Sequence, residues 1–163
     1  MSLGTPNVEE IHIVVFGLRD GEQQDRVYYG LSVDEVREIR PVEHITRIPT
    51  APSYVLGAIN YRGKVIVLID VKAKLGISTK QSNGSKPRII VVEVEDVLTG
   101  LLVDEVDQVL RIPIKDLQIA QAEDPGSRNF LKGTVRSQSK QVHLLDVQRL
   151  LDADVTGVRT GRK

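Results

Sequence analysis

The chain contains no cysteine and no tryptophan, and only 4% of it is aromatic. Without cysteine there is no disulfide framework, no thiolate nucleophile and no Cys-based metal cluster. With so few rings the core must be aliphatic, and the Val and Ile that supply it favour strands. An excess of one charge is missing too: 22 Lys+Arg balance 22 Asp+Glu, for a formal net charge of zero with neutral histidines. A nucleic-acid binder shows a basic surplus or patch, so this composition argues against one. Long hydrophobic runs are also absent. The longest aliphatic run is Val65 to Ile69, far short of the ~20 residues a membrane helix needs. The N-terminus has no basic patch with an apolar stretch behind it, so it does not read as a signal peptide. The expectation is a soluble cytoplasmic protein. At 163 residues the chain makes one full domain or two small ones and buries roughly 70% of its extended-chain surface, so it needs no metal or disulfide staple.

Catalytic patterns are equally scarce. The histidines His12, His44 and His143 share no ligand spacing. There is no Gly-x-Ser-x-Gly, and the stretch Gly57 to Gly63 lacks the Lys-Ser/Thr ending of a phosphate loop. Asp34-Glu35 and Asp104-Glu105 suggest paired carboxylates, yet adjacent acids at a helix start more often serve the cap and the dipole. The basic residues are dispersed and no Tyr or Phe interleaves with a basic run, so stacking on nucleic acid is unsupported. No enzyme machinery and no cofactor site is visible. An interaction protein is the better class, with a small β-barrel enzyme or RNA-binding barrel as the alternative.

What is present is strand. Ile11 to Leu18, Val27 to Leu31, Ala58 to Tyr61, Lys64 to Ile69, Arg88 to Val94, Leu98 to Val103, Phe130 to Val135 and Gln141 to Leu145 all read as strands. Val65 to Ile69 is apolar on both faces and predicts a central, covered strand. Ser32-Val33-Asp34-Glu35 fits a capping box, and Val33, Val36 and Ile39 fall three apart, which predicts a short helix ended by Pro41. Val71 to Leu75, stopped by Gly76, and Val147 to Leu151 read as helical turns. Residues 1–10 read as a flexible arm, 77–86 as a linker, 121–129 as a loop and 153–163 as a disordered tail.

A repeat organises these pieces. Gly30-Leu31-Ser32-Val33-Asp34-Glu35-Val36 returns as Gly100-Leu101-Leu102-Val103-Asp104-Glu105-Val106, identical at six of seven positions. In the same order, Gly57 to Leu75 matches Gly133 to Leu151 at Gly57/Gly133, Lys64/Lys140, Leu68/Leu144, Asp70/Asp146, Val71/Val147 and Leu75/Leu151. Arg47-Ile48-Pro49 and Arg111-Ile112-Pro113 are out of step with both and read as coincidence. Shared aliphatic composition does not place Gly, Asp and Glu at one register, so the sequence implies an internal duplication. Two short-stranded units with little helix favour two small barrels, because closure removes exposed edges. A groove between the two halves is the place to look for a partner.

The wording of several segments resembles the CheW family of bacterial chemotaxis coupling proteins. Val36-Arg37-Glu38-Ile39-Arg40, Thr46-Arg47-Ile48-Pro49-Thr50-Ala51-Pro52 and Gly57-Ala58-Ile59-Asn60-Tyr61-Arg62-Gly63 are similar to V-x-E-I-R, T-R-I-P-x-A-P and G-x-I-N-L-R-G. The stretch from Gly100 to Val109 is similar to G-x-x-V-D-x-V-x-x-V. The resemblance spans 11–152, with repeats at about 30–75 and 100–151. Tyr61 in place of Leu, and Leu68 where many members carry Pro, are departures. The implied fold is all-β with a few short helices, two similar SH3-like five-stranded β-barrels packed together. The implied role is a non-enzymatic adaptor between chemoreceptors and the histidine kinase CheA. Its partners would be the CheA regulatory domain and the receptor's cytoplasmic tip, with no cofactor and with membrane contact only through receptor arrays. A CheW-like regulatory domain of another pathway is the alternative within the family. A stand-alone chain with its own arm and tail points to the adaptor rather than to CheA's own regulatory domain, and a receiver-fused relative would need about another 120 residues.

The resemblance also implies sites. For the receptor the expected residues are Val33, Val36, Glu38, Ile39, Arg62, Val106 and Val109; for the kinase they are Arg88, Ile89 and Leu98. Glu38 and Arg62 are expected to form an ion pair at the edge of the receptor groove. If half-exposed, such a pair adds only ~1 kcal/mol, so its main use is to fix the guanidinium.

Overall fold

The structure is a computed structural model that describes residues 9–19, 26–77, 86–119 and 130–152. Most of the expected arm and linker, and all of the loop at 121–129 and the tail at 153–163, lie outside the described residues. The strands are β1 (Glu10–Arg19), β2 (Arg26–Ser32), β3 (Val36–Pro41), β4 (Val55–Tyr61), β5 (Lys64–Asp70), β6 (Arg88–Val94), β7 (Val97–Val103), β8 (Glu105–Pro113), β9 (Gln118–Ile119), β10 (Leu131–Ser137) and β11 (Lys140–Leu145). Two short helices, α1 (Val71–Leu75) and α2 (Val147–Asp152), follow β5 and β11. The fold is the expected pair of small barrels. One sheet runs β8-β1-β2-β11-β10-β9 and the other β3-β6-β7-β5-β4.

The first sheet has six strands where five were expected. Apart from the two-residue β9, whose place in the second sheet is held by the single Thr46–Ala58 bridge, the two orders correspond strand for strand, and each has one parallel pair at its middle. Leu144 faces Gly30 in β11·β2, and Leu68 faces Gly100 in β5·β7, so the repeated glycine meets the repeated leucine in both sheets. Neither repeat closes a barrel alone. The first half gives β1 and β2 to one sheet and β3 to β5 to the other; the second half returns β6 and β7 to that other sheet and β8 to β11 to the first. The repeated segment ending Val-Asp-Glu-Val is the crossover, once out of the first barrel and once back into it.

Interleaving explains the apolar runs. Along β6, Ile89 and Val91 point into the second barrel with Ile59, Tyr61, Ile66 and Leu68, while Ile90 and Val92 point out. Along β1, Ile13 and Val15 fill the first barrel, while Phe16 and Leu18 point out. The outward residues meet as a third core of thirteen buried residues, from Phe16 and Leu31 to Val103 and Leu150. Each barrel interior holds only six, so the seam between barrels is the largest core. Truncating Phe16, which is fully buried there, should cost about 3–5 kcal/mol.

Two elements differ from the sequence reading. The helix expected from Val33 to Ile39 is one 3₁₀ turn, Val33–Glu35, followed by β3. The Ser32 hydroxyl accepts from the Asp34 amide at 3.3 Å, but Glu35 Oε1 is buried without a partner among the described residues, so no reciprocal capping box forms. Val36 and Ile39 are β-branched, and pairing with β6 outweighs their helical spacing. The equivalent strand β8 was not expected at all. Val65, expected to be covered, stands 76% exposed at the hairpin end of β5.

The repeated glycines have a steric reason. Gly57 and Gly133 each sit at a register shift in the equivalent hairpins. A Cβ at either would overlap a carbonyl oxygen, that of Thr46 or of Gln118. The repeated aspartates begin the helices: Asp70 accepts from the Lys72 amide at 3.0 Å and Asp146 from the Arg149 amide at 3.1 Å.

Candidate functional site

The hairpin β4–β5 turns through Arg62 and Gly63, both at positive φ (52° and 83°), the I′ geometry that suits two-residue hairpins. Asn60 Oδ1 accepts from the Gly63 amide at 3.1 Å. A left-handed conformation costs a residue with a Cβ roughly 1–2 kcal/mol, so the turn gains nothing from arginine. The side chain of Arg62 is 73% exposed, and its Nη2 lies 3.2 Å from Glu38 Oε1, with Nε donating to the same oxygen at 3.3 Å. The expected pair is therefore formed. Burial alternates along β3, with Glu38 half-buried and Ile39 exposed, so the two side chains project from opposite faces of the strand.

The duplication supplies an internal control. The positions of Glu38 and Arg62 in the other half are Gln108 and Gln138, and Gln108 Nε2 donates to Gln138 Oε1 at 3.2 Å. Both barrels clasp an edge strand to a hairpin tip at the same place. The Gln108–Gln138 contact is neutral, but Lys140 Nζ lies 2.7 Å from Asp107 Oδ2 between the same hairpin and edge strand, so the second clasp carries its ion pair at neighbouring positions.

Ile39, Val106, Arg88, Lys86 and Glu105 line a shallow groove of about 390 Å³. Two expected receptor residues thus share a groove with Arg88, expected on the kinase side. Val36 and Val106 pack partly against the inter-barrel core, and Val33 is half-buried in the 3₁₀ turn. Val109 is 60% exposed and lies outside the groove lining. Ile89 corrects the sequence reading: it is fully buried in the second barrel, because β6 is covered on both faces. Leu98 is half-buried toward the other end of the β6–β7 hairpin, opposite Glu93, roughly 16 Å along the strand from Arg88. The three expected kinase residues do not form one patch.

The acidic pair of the second crossover, Asp104-Glu105, has structural partners. Asp104 Oδ2 accepts from the Arg19 amide at 2.7 Å and from Lys72 Nζ at 3.1 Å, with Lys72 itself buried. Glu105 meets Arg19 at 3.2 Å and Arg26 at 3.0 Å. Counting from the matched glycines, the places of Arg19 and Arg26 are taken in the other half by Glu95 and Asp96. Glu35, the counterpart of Glu105, has no such arginine pair. Burial raises its pKa above the ordinary value; Lys132 opposes the rise while Asp146 and Asp34 add to it. His143 is half-buried beside Thr134 Oγ1 at 3.1 Å, and burial lowers its pKa. Among the described residues no three His, Asp or Glu side chains are arranged to hold a metal, and no helix is long and apolar enough to cross a membrane.

The sequence marks Tyr61 as a departure beside Arg62 with a bearing on partner preference, and does not single out Arg40. The structure puts both beside Arg62, with the Arg40 and Arg62 guanidinium carbons 5.3 and 5.6 Å from the Tyr61 ring centroid. The signal was available in Tyr-Arg-Gly at a hairpin tip. The partner strand was hidden by the helical reading of Val36 to Arg40.

A profile of the CheW-like domain matches residues 12–155. The chemotaxis protein CheW of Rhizobium meliloti is 30% identical over 141 residues, covering 86% of this chain and 88% of that protein. The chemotaxis protein CheV3 of Helicobacter pylori is 28% identical over 148 residues, but the chain spans only 47% of its length. The crystal structure of the scaffolding protein TtCheW from Thermoanaerobacter tengcongensis superposes with a TM-score of 0.78 at 30% identity, covering 88% of this chain and 94% of that one.

Proposed function

The chain belongs to the CheW family, and from that premise we propose that it is a non-enzymatic adaptor that joins the cytoplasmic tip of chemoreceptors to the regulatory domain of the kinase CheA. The observation that carries the receptor side is Arg62, an exposed guanidinium at a turn position that disfavours it, where the equivalent turn position holds glutamine. The Ile39–Val106 groove, on the other face of β3 from Glu38, offers an apolar seat for one helix of the receptor hairpin, and the guanidinium across that edge strand a polar clamp. The receptor surface comprises Ile39, Val106, Glu38 and Arg62, with Val33 and Val36 supporting it from behind and Val109 at its periphery. Arg88 joins this groove. The kinase contact falls to Leu98, beside the exposed Val97, and Ile89 is withdrawn from it.

The test separates the two surfaces. Arg62→Lys keeps the charge but loses the planar fork; it should weaken binding of a receptor cytoplasmic hairpin at least tenfold, shift the melting temperature by less than about 2 °C, and leave binding of the CheA regulatory domain intact. Full receptor binding by the Arg62→Lys variant would remove Arg62 from the site. Equal loss of both partners would remove the separation of surfaces.

A further inference from the structure

Tyr61 is buried among Ile59, Ile66, Leu68 and Val91, where a leucine would keep apolar contact in a smaller volume. A leucine has no π face, and this ring has two guanidiniums over it, those of Arg40 at 5.3 Å and Arg62 at 5.6 Å, both within the ~6 Å reach of a cation–π contact. Each arginine is also held by a carboxylate. Arg40 meets Glu43 at 2.6 Å and Arg62 meets Glu38 at 3.2 Å. Arg40 also donates to the carbonyl of Asn60, the residue before Tyr61, at 3.4 Å. Arg40 is mostly covered and belongs to the barrel; Arg62 is mostly free. Arg62 bonds a single oxygen of Glu38 through Nε and Nη2, with the Tyr61 hydroxyl as a lesser hydrogen-bond partner, and most of the side chain stays exposed.

We propose that Tyr61 is a positioning residue that sets specificity at the receptor surface: its ring, steadied by Arg40, fixes the plane of the Arg62 guanidinium so that the free edge presents to a carboxylate on the receptor helix. This rests on the receptor reading above. The ring and Glu38 are two separate holders of one side chain. Loss of either leaves Arg62 partly ordered; loss of both releases it.

The experiment compares Tyr61→Phe, which keeps the ring, with Tyr61→Leu, which keeps apolar bulk without it, in the full chain. The Arg62 Nε–Hε NMR resonance reports order without any partner, and affinity for a receptor cytoplasmic hairpin reports specificity. Tyr61→Phe, which keeps the ring and loses only the minor hydroxyl contact to Arg62, should stay close to the parent in both. Tyr61→Leu should move the Arg62 resonance toward the averaged position of a free arginine and weaken binding about fivefold, with a further loss when Glu38→Gln is added. An Arg62 resonance unchanged by Tyr61→Leu overturns the positioning role, and so does equal behaviour of the Phe and Leu variants. A released Arg62 with unchanged affinity overturns the specificity claim. Failure of the unaltered chain to bind the hairpin sinks the receptor reading instead, and the resonance still decides what Tyr61 does.

Discussion

At the scale of single residues, Arg62 and Glu35 show how a duplication exposes function. Each has a counterpart in a matched environment, and in each case the counterpart is satisfied differently. Gln138 stands in the place of Arg62 without charge, the ion pair of that clasp being Lys140 with Asp107, whereas at the first clasp the charge sits on the exposed turn residue itself. Glu105 is flanked by two arginines, whereas Glu35 keeps a buried oxygen without a hydrogen bond among the described residues. The consequence for Glu35 is a specific pH dependence. Its folded-state pKa is raised by burial, so the folded protein holds this proton to higher pH than the unfolded chain does. Stability is therefore lost as pH rises from the ordinary carboxylate range through the folded value. Glu35→Gln removes that loss. It should raise the melting temperature by about 1–2 °C at pH 7, the modest size reflecting solvent screening of a half-exposed group. The gain should vanish below about pH 4, where the carboxyl is protonated in both states. A gain that persists at low pH would mean the glutamine acts by packing.

At the scale of elements, the strands buried on both faces were legible and the edge strands β3 and β8 were not. β1, β6 and β7 carry long aliphatic runs because one face fills a barrel and the other the seam. β3 and β8 are edge strands with one polar face. There, the spacing of Val33, Val36 and Ile39 and the acids beside them imitate a capped helix, and only long-range pairing decides against it. The candidate site suffered for the same reason. Residue types at positions 38, 39 and 62 were readable, but their faces depend on β3 being a strand, and the burial of Ile89 depends on a second barrel packed against β6. Glycines at the hairpin shifts were legible as repeats, and the structure supplies their cause. Gly57→Ala and Gly133→Ala, each made singly, should destabilise by roughly 2 kcal/mol or more in chemical denaturation, since a methyl meets a backbone carbonyl in each case. A neutral Gly133→Ala would show that the two bulges are not equivalent.

At the scale of the whole molecule, interleaving makes the halves inseparable. Each barrel takes strands from both sides of residues 78–85, and the thirteen-residue core joins all of them. A protease site inserted within 78–85 and cut in the folded protein should leave the two fragments co-eluting and melting in one transition. Fragments that separate on cutting would mean that each half holds its own barrel. A pair of barrels joined by one core suits the proposed adaptor, because surfaces on it keep a fixed relation: the proposed receptor groove, which Arg88 joins at one end of the β6–β7 hairpin, and the proposed kinase contact at Leu98 toward its other end are roughly 16 Å apart along the strand. The direct measurement is therefore sedimentation of the chain mixed with a chemoreceptor cytoplasmic hairpin and the CheA regulatory domain. Coupling predicts one complex containing all three, formed whichever partner is added first. Binding of only one partner, or displacement of one by the other, would contradict it.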